Sequence, residues 1–442
     1  MTVTDLPRAT NWQPIPAGRG RWRLTLHRRQ FVDSNFAPPA QTGIAELVDA
    51  RSKRLEQTLN KPAQLSFTVD GRSQSARELR ELAQDVIAWR WDEVNANDMP
   101  MFFGPVTHTE DQITADAHTL NVTCHDYLAV MSRRYLTKAV PLVFTQTDQD
   151  TLVNLLLTQA RSPSTGNNTD LRPGSSFPVQ ALNVNPDGST RSLSGVLRDR
   201  TYLGNQEILE AIDNLAASLP VNPQPGQTNS FDYDQGYLST FTTYGWAALR
   251  VFWPGQGVTR TDMALVYGAR GVGGLAGLTR TVNSGDYSNY VRVLGNNGSS
   301  DQNAAQLFAD TWNSDATSGT AGAVGLWMTA DNASDVNQQA TLNEKAAGLL
   351  AAQGILIPSY TVTLVPDGYR YGFPNMGDTV GLNVQSGRLN VATTVRVLGL
   401  AFAANEDAAG GEDVTLTVGR PAVTLAQLLG QARSDINALA RR

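Results

Sequence analysis

The sequence predicts a mainly β (α+β) chain with two barrel-like β domains, a mixed α/β central insert and a C-terminal helix. Three observations carry that expectation. The apolar runs are short and rich in Val, Leu and Thr, the composition of strands. Many of them alternate apolar with polar residues, the period of a half-buried strand. With 38 Gly and 21 Pro, turn residues punctuate the chain at strand-like intervals. A length of 442 residues leaves room for about three domains. The expected boundaries are an arm over 1–19, a first barrel over 20–145, the insert over 146–279, a second barrel over 280–420 and a helix over 421–442.

The elements follow in order. Residues 1–19 hold three prolines and little pattern. In Arg21-Trp-Arg-Leu-Thr-Leu-His, Trp22, Leu24 and Leu26 share one face of a strand. Further strands are expected from Ile44 to Asp49 and from Ala63 to Val69. Ser75-Ala-Arg-Glu78 has the spacing of a capping box. Leu79, Leu82, Val86 and Ile87 continue it at helical spacing, but Val86-Ile-Ala-Trp-Arg-Trp reads equally well as a strand. Met101–Val106 and Thr119–Cys124 are strands, and about six strands around one helix suggest a compact barrel.

Asp148–Gln159 predicts a helix through Leu152, Leu155 and Leu156. The polar stretch Arg161–Asn185 reads as a surface excursion. A helix opens at Asn205, with Ile208, Ile212, Leu215 and Leu219 on one stripe, and Pro220 ends it. The Gly-rich run Gly268–Gly277 reads as a connector. Asn303–Trp312 and Leu342–Gln353 read as helices. Tyr290–Gly295, Tyr360–Val365, Val391–Leu400 and Val414–Val418 read as strands. A final helix begins at Thr424. Its stripe of Leu425, Leu428, Leu429, Ile436 and Leu439 requires a surface to cover it, on the body or on another copy.

Composition limits the chemistry. Hydrophobic residues make up 41% and charged residues 17% of the chain, which supports packed cores. The net charge of −6 shows no basic field for gripping nucleic acid. A single cysteine, Cys124, rules out an internal disulfide and a Cys-rich zinc site. No apolar run approaches the ~18 residues of a membrane span, and Met1–Pro16 has no signal-type apolar core. The expected location is therefore the cytoplasm of synthesis, or a particle that leaves it.

The residues that invite a catalytic or metal hypothesis have structural readings beside them. His27, His108, His118 and His125 with Cys124 raise a metal site, but Cys124 and His125 are neighbours on a strand and point to opposite faces. Asp232 and Asp234 flank Tyr233, and Asp367 and Asp378 lie in turns. Such carboxylates serve acid–base or calcium sites, and they equally serve an amphipathic edge strand. Gly268-Ala-Arg-Gly-Val-Gly-Gly lacks the ending of a phosphate loop. No Gly-x-Ser-x-Gly or His-Glu-x-x-His motif is present. Trp22, Trp89, Trp91, Trp246, Trp253, Trp312 and Trp327 sit at strand-like positions and suit core or subunit interfaces better than base stacking. The expectation is no catalytic, cofactor-binding or metal-binding residue.

The order of pieces resembles the tail-hub proteins of long-tailed bacteriophages. Residues 79–136 resemble the first domain of that family, through Ala88-Trp-Arg, Phe102-Phe-Gly-Pro-Val, Cys124-His-Asp-Tyr-Leu and Arg133-Arg-Tyr. Asp286-Tyr-Ser-Asn-Tyr-Val-Arg-Val-Leu-Gly is similar as well. Tyr360-Thr-Val-Thr-Leu-Val with Met376-Gly-Asp-Thr-Val resembles the strand and turn that close the second barrel. The resemblance covers about two thirds of the chain and is closest to minor tail proteins of actinobacteriophages. Residues 161–275 depart from it.

The resemblance implies a structural, non-enzymatic hub at the virion tail tip. It implies a homotrimer whose two barrels per chain make a pseudo-sixfold ring, joining the sixfold tube to a threefold tip. The implied partners are the distal tail protein, the tape-measure protein and a fibre or receptor-binding protein, with DNA passing through the lumen. Three copies would carry three times −6, or −18, and an acidic lumen would let DNA slide. The rival readings are a receptor-binding or tip fibre protein, a cell-wall hydrolase using Asp232 or Asp234, and a secretion-system spike hub.

Overall fold

The computed structural model describes residues 22–28, 42–92, 95, 97–136, 141–161, 179–202, 206–217, 229–242, 245–282, 284–285, 287–295, 307–314, 324–333, 339–354, 358–366, 368–405 and 411–419. The expected arm and C-terminal helix lie outside these residues, as do Asp286 and Asp367. In chain order, β1 (Trp22–Arg28), β2 (Thr42–Glu46), β3 (Arg51–Thr58) and β4 (Gln64–Asp70) lead to helix α1 (Gln74–Glu78). Then come β5 (Gln84–Asp92), the long β6 (Asn97–Ile113), β7 (His118–His125) and α2 (Tyr127–Met131). β8 (Leu142–Asp148), α3 (Gln149–Arg161), β9 (Val179–Val184), β10 (Leu197–Tyr202) and α4 (Ile208–Ala217) follow. β11 (Asp232–Thr242), β12 (Gly245–Phe252), β13 (Thr259–Tyr267) and β14 (Gly274–Thr281) come next. β15 (Tyr290–Gly295), β16 (Phe308–Trp312), β17 (Met328–Ala333) and α5 (Gln339–Gln353) precede β18 (Ser359–Leu364), β19 (Thr379–Ser386), β20 (Leu389–Asn405) and β21 (Gly411–Gly419).

The chain divides into two compact units, the smaller built mainly from residues 280–360. In the larger unit, thirteen strands form one sheet in the order β19-β13-β14-β18-β21-β20-β3-β4-β7-β6-β5-β1-β2. A further pairing of β19 with β20 closes β19, β13, β14, β18, β21 and β20 into a six-stranded ring. The first half of β20 pairs with β19 and its second half with β3. One 17-residue strand thus belongs both to the ring and to the sheet that grows from β3. The alternation read in the sequence is the reason these strands form. Val380, Leu382 and Val384 on β19 and Val414, Leu416 and Val418 on β21 are buried, one residue in two.

The ring draws β13 and β14 from the stretch the sequence assigned to the insert. The Gly-rich run between them is a tight turn inside the ring. Gly273 has φ +83, and a Cβ there would meet the Ala264 carbonyl oxygen at 2.3 Å. The insert itself packs α3, α4, β9, β11 and β12 around Leu152, Leu156, Ile208, Ile212, Leu215 and Leu249. Ile87, Trp89, Phe103 and Tyr127 of the first sheet join the same core.

One open alternative is settled and three sequence expectations change. Val86–Trp91, readable as helix or strand, is strand, within β5. Ser73, not Ser75, caps α1: its side chain accepts the Ala76 amide, and the helix ends at Glu78. Ser75 instead bonds Asp49. Within the stretch read as the helix 303–312, residues 308–312 form β16, because Phe308 to Trp312 alternate and pair antiparallel with β15, a tertiary contact that outweighs local propensity. The excursion 161–185 contains β9, parallel to β12 with Val179 and Val184 buried; residues 162–178 lie outside the described ones. The smaller unit is the sheet β16-β15-β17 with α5 on one face.

Candidate functional site

The densest constellation of charged groups lies where β11 meets the ring. β11 begins directly after Phe231, and alternation aims Asp232 and Asp234 to the side opposite the buried Tyr233. Asp232 is buried. Its Oδ1 accepts hydrogen bonds from Asn60 Nδ2 at 2.9 Å and Asn229 Nδ2 at 3.2 Å. Its Oδ2 accepts the Gln256 amide at 2.9 Å and the Arg396 guanidinium of β20. Asp234 takes a two-pronged bond from Arg250, 2.7 Å from each oxygen, and another from Gln256 Nε2 at 2.8 Å. Asp378 accepts from Arg260 Nε at 2.9 Å, the Val258 amide at 2.9 Å and the Asn375 amide at 3.0 Å.

Asn60 sits in the β3–β4 turn at φ 58, the left-handed conformation that Asn tolerates. There it clamps Tyr233: it accepts the Tyr233 amide at 2.7 Å through its side chain and the Tyr233 hydroxyl at 2.8 Å through its carbonyl. That hydroxyl also bonds Asp213. Gly257 and Gly377 permit the closest backbone approach, since a Cβ on Gly257 would lie 2.1 Å from the Gly377 carbonyl carbon. Asp234, Arg250, Gln256, Gly257, Arg260 and Asp378 border a cleft of about 510 Å³, lined also by Phe102, Asp126, Tyr369 and Tyr371.

Burial moves several protonation equilibria here. Asp126 is pushed up to about 7 by desolvation, which outweighs the amides of Ala63, Ala129 and Leu128 that it accepts. Burial likewise raises Asp213 to about 6, against the Tyr233 hydroxyl bond. The Tyr233 hydroxyl is raised well above its usual range by burial and by Asp213. Both oxygens of Asp232 and of Asp234 are already engaged by donors. This arrangement fastens segments together; a general acid or base instead needs an oxygen aimed at a reactant.

A second fastener was missed by sequence reasoning. Arg90 on β5 is fully buried and meets Glu412 on β21, with Nε 3.0 and 3.1 Å from the two oxygens. Trp22 Nε1 donates to Glu412 at 2.8 Å, and Tyr369 lies 5.0 Å below the guanidinium. The signal was present in Trp89-Arg-Trp91, a charge between large apolar residues on a strand, which requires a buried counter-ion.

The candidate metal residues are dispersed. Cys124 is buried, and burial raises its thiol well above the ordinary value. His125, on the opposite face, bonds Thr107 at 2.7 Å. His27 is buried against Thr25 at 2.9 Å and is lowered to about 4 by desolvation and the nearby Arg23. His118 bonds Asp111 at 2.7 Å, and His108 is exposed. Among the described residues, no three His, Cys, Asp or Glu side chains gather as a metal site would require. None of the described helices is long and apolar enough to cross a membrane. The side chain of Trp246 lies outside the described residues.

The chain is thus mainly β, with a closed ring that shares a strand with a second sheet. Comparison with solved structures finds this fold elsewhere. The chain is similar in fold to the tail protein from Neisseria meningitidis MC58, with a TM-score of 0.52, 8% identity, and 93% of this chain and 99% of that one covered. It is also similar to the 43 kDa tail protein of prophage MuSo2 from Shewanella oneidensis, with a TM-score of 0.51, 11% identity and coverage of 90% and 98%. No family model matches the sequence, and no curated protein matches it.

Proposed function

We propose that this chain is a structural hub protein of a phage tail, without enzymatic activity, placed at the tail tip of a siphophage. The observation that supports it is the fold shared with two tail proteins over at least nine tenths of the chain. In this reading three copies form a ring. The six-stranded ring of each chain and the curved sheet that continues from β20 act as two similar edges per subunit, so three chains present six positions to a sixfold tube. The distal tail protein docks on one side and a fibre or receptor-binding protein on the other. The lumen holds the end of the tape-measure protein and later passes DNA, and its acidic lining repels phosphate. The affinity to actinobacteriophage minor tail proteins is part of the same proposal and rests on the motifs at 79–136 and 286–295.

Light scattering on purified protein, with imaging of the virion tip, tests this reading. The expected result is a particle of about three times 47.7 kDa in solution or a threefold ring in the virion. A monomer in both settings overturns it. A resolved lumen lined mainly by Arg and Lys overturns the acidic-channel part alone.

A further inference from the structure

Among the described residues, only one face of the three-stranded sheet in the smaller unit is covered. α5 packs on the side that carries Val291, Val293 and Ala309, through Leu342, Ala346 and Leu349. Strand alternation turns Tyr290, Arg292, Phe308, Asp310, Trp312 and Met328 to the other side. The segment leading into β17 adds Val324, Leu326 and Trp327 next to Met328. Phe308, Trp312, Val324, Leu326, Trp327 and Met328 are all between 50% and 58% exposed.

This apolar surface is fixed in place. Asn289 is fully buried and grips the incoming segment at three points. Its Nδ2 donates to the Gly325 carbonyl at 2.7 Å, its Oδ1 accepts the Trp327 amide at 2.8 Å, and its own amide donates to the Trp327 carbonyl at 3.0 Å. The Tyr290 and Trp312 rings stack 6.2 Å apart. The two charges on the face satisfy each other. Arg292 meets both oxygens of Asp310 at 2.7 Å, with its guanidinium 5.0 Å from the Phe308 ring. Covering the face therefore strands no ion, and the stacked rings have little freedom left to lose on binding.

Composition and size say what covers it. Aromatic residues, Met and Arg are the side chains that interface cores favour, whereas Lys and Glu are the ones they avoid. Among the described residues this face carries the first set and neither of the second. Six large side chains, each showing about half of a ~180 Å² surface, expose on the order of 500 Å² of apolar area. One side of a standard protein interface buries about 800 Å², of which roughly 60% is apolar. The two amounts match. A patch this large needs cover from the moment the chain folds, and a second copy is the partner that synthesis supplies in step. Interfaces between copies of one chain are also the more apolar class.

We propose that a second copy of this chain packs on the face formed by Tyr290, Phe308, Trp312, Trp327 and Met328. The proposal rests on the self-association part of the ring reading and names a surface that carries it. In a threefold ring the facing surface on the neighbour is a different one. Sedimentation of the full chain across the micromolar range tests it, since interfaces of this size hold at micromolar concentration or below. The native chain is expected to associate. Trp312→Ala with Met328→Ala is expected to weaken association at least about thirtyfold, the loss of a hot spot, with a native far-UV circular dichroism spectrum. Hydroxyl-radical labelling of the native protein is a second readout that needs no variant. Trp312, Trp327 and Met328 are expected to be labelled several times less in the associated form than on dilution. A native chain that associates with these side chains still fully labelled overturns the proposal and leaves the ring reading standing. So does a folded variant that associates as well as the native chain. A native chain that stays monomeric across that range overturns the proposal too, and imaging of the virion tip then decides the ring by itself.

Discussion

Replacing Glu412 by Gln removes the carboxylate that faces a guanidinium buried inside the protein. Arg90 is completely buried and its guanidinium lies 3.0 and 3.1 Å from the Glu412 oxygens. Arginine does not deprotonate in proteins, so the charge cannot be shed as a lysine would shed it. Glutamine keeps the volume and one acceptor, which Trp22 Nε1, now at 2.8 Å from the carboxylate, can still use. The cost is therefore mainly that of breaking a buried ion pair, about 3–5 kcal/mol. Against a total stability of roughly 5–15 kcal/mol, that is a large share of the margin. Urea unfolding followed by tryptophan fluorescence reads it. With a slope near 3 kcal/mol/M, the midpoint falls by about 1–1.7 M. The double variant Arg90→Met with Glu412→Leu removes both charges and is expected to recover to within about 1 kcal/mol of the native protein. A Glu412→Gln midpoint within about 0.2 M of native refutes the reasoning. So does a double variant as damaged as the single one.

Two further predictions rest on the same interior. Asp126, raised to about 7, and Asp213, raised to about 6, stabilise the fold below their unfolded value near 3.8, and that contribution is lost as pH rises through 6 and 7. His27, lowered to about 4, acts in the opposite sense: its contribution is complete above 6.5 and is lost as pH falls through 4. The slope is about 1.4 kcal/mol per pH unit for each of the buried groups Asp126 and His27, and Asp213 acts in the same sense as Asp126, so the native chain gains stability modestly between pH 7 and 5. His27→Gln is thus expected to gain stability on acidification across that range, and Asp126→Asn with Asp213→Asn to lose it; the same pH response in all three proteins would contradict the assignment. Gly257→Ala is expected to cost more than about 2 kcal/mol, since its φ is +85 and the new Cβ meets backbone at 2.1 Å. Gly188→Ala, at φ +87 with nothing within 4 Å, carries only the backbone strain of about 1 kcal/mol. Equal melting points for the two variants would mean that the Gly257–Gly377 approach is not a close one in solution.

What the sequence displayed was local periodicity, and the elements that rest on local periodicity are the ones it placed. Ile208, Ile212 and Leu215 fall on the buried stripe of α4, and Val414, Leu416 and Val418 on the buried face of β21, because spacing alone decides which side of an element is apolar. Where two local patterns competed, tertiary pairing decided. Residues 308–312 alternate over only five positions and take their strand conformation from the partner β15. The Gly-rich run at 268–277 has the composition of a linker, yet its Gly273 is wedged against the Ala264 carbonyl and its neighbours pair within the ring.

The choice of partners is a different kind of information, and it lies in isolated charges. Arg90 and Glu412 stand 322 positions apart, and Asp232 and Arg396 stand 164 apart. No periodic signal connects either pair, and each is one residue on a strand that would form without it. Yet Arg90, Glu412 and Asp232 are buried, and burying any of them alone is prohibitive, so each of their strands is satisfied only beside its counterpart. The ring and the sheet that leaves it share β20, whose two halves pair with β19 and β3. An apolar strand could slide by two residues along such a seam and still bury its face. Arg396, on the first half of β20, can meet Asp232 in only one register. The charged fasteners therefore specify which arrangement of many interchangeable apolar strands is the native one. That is also why Asp232 and Asp234 stand out in the sequence: a carboxylate set between strands is conspicuous whether it binds a substrate or its own chain.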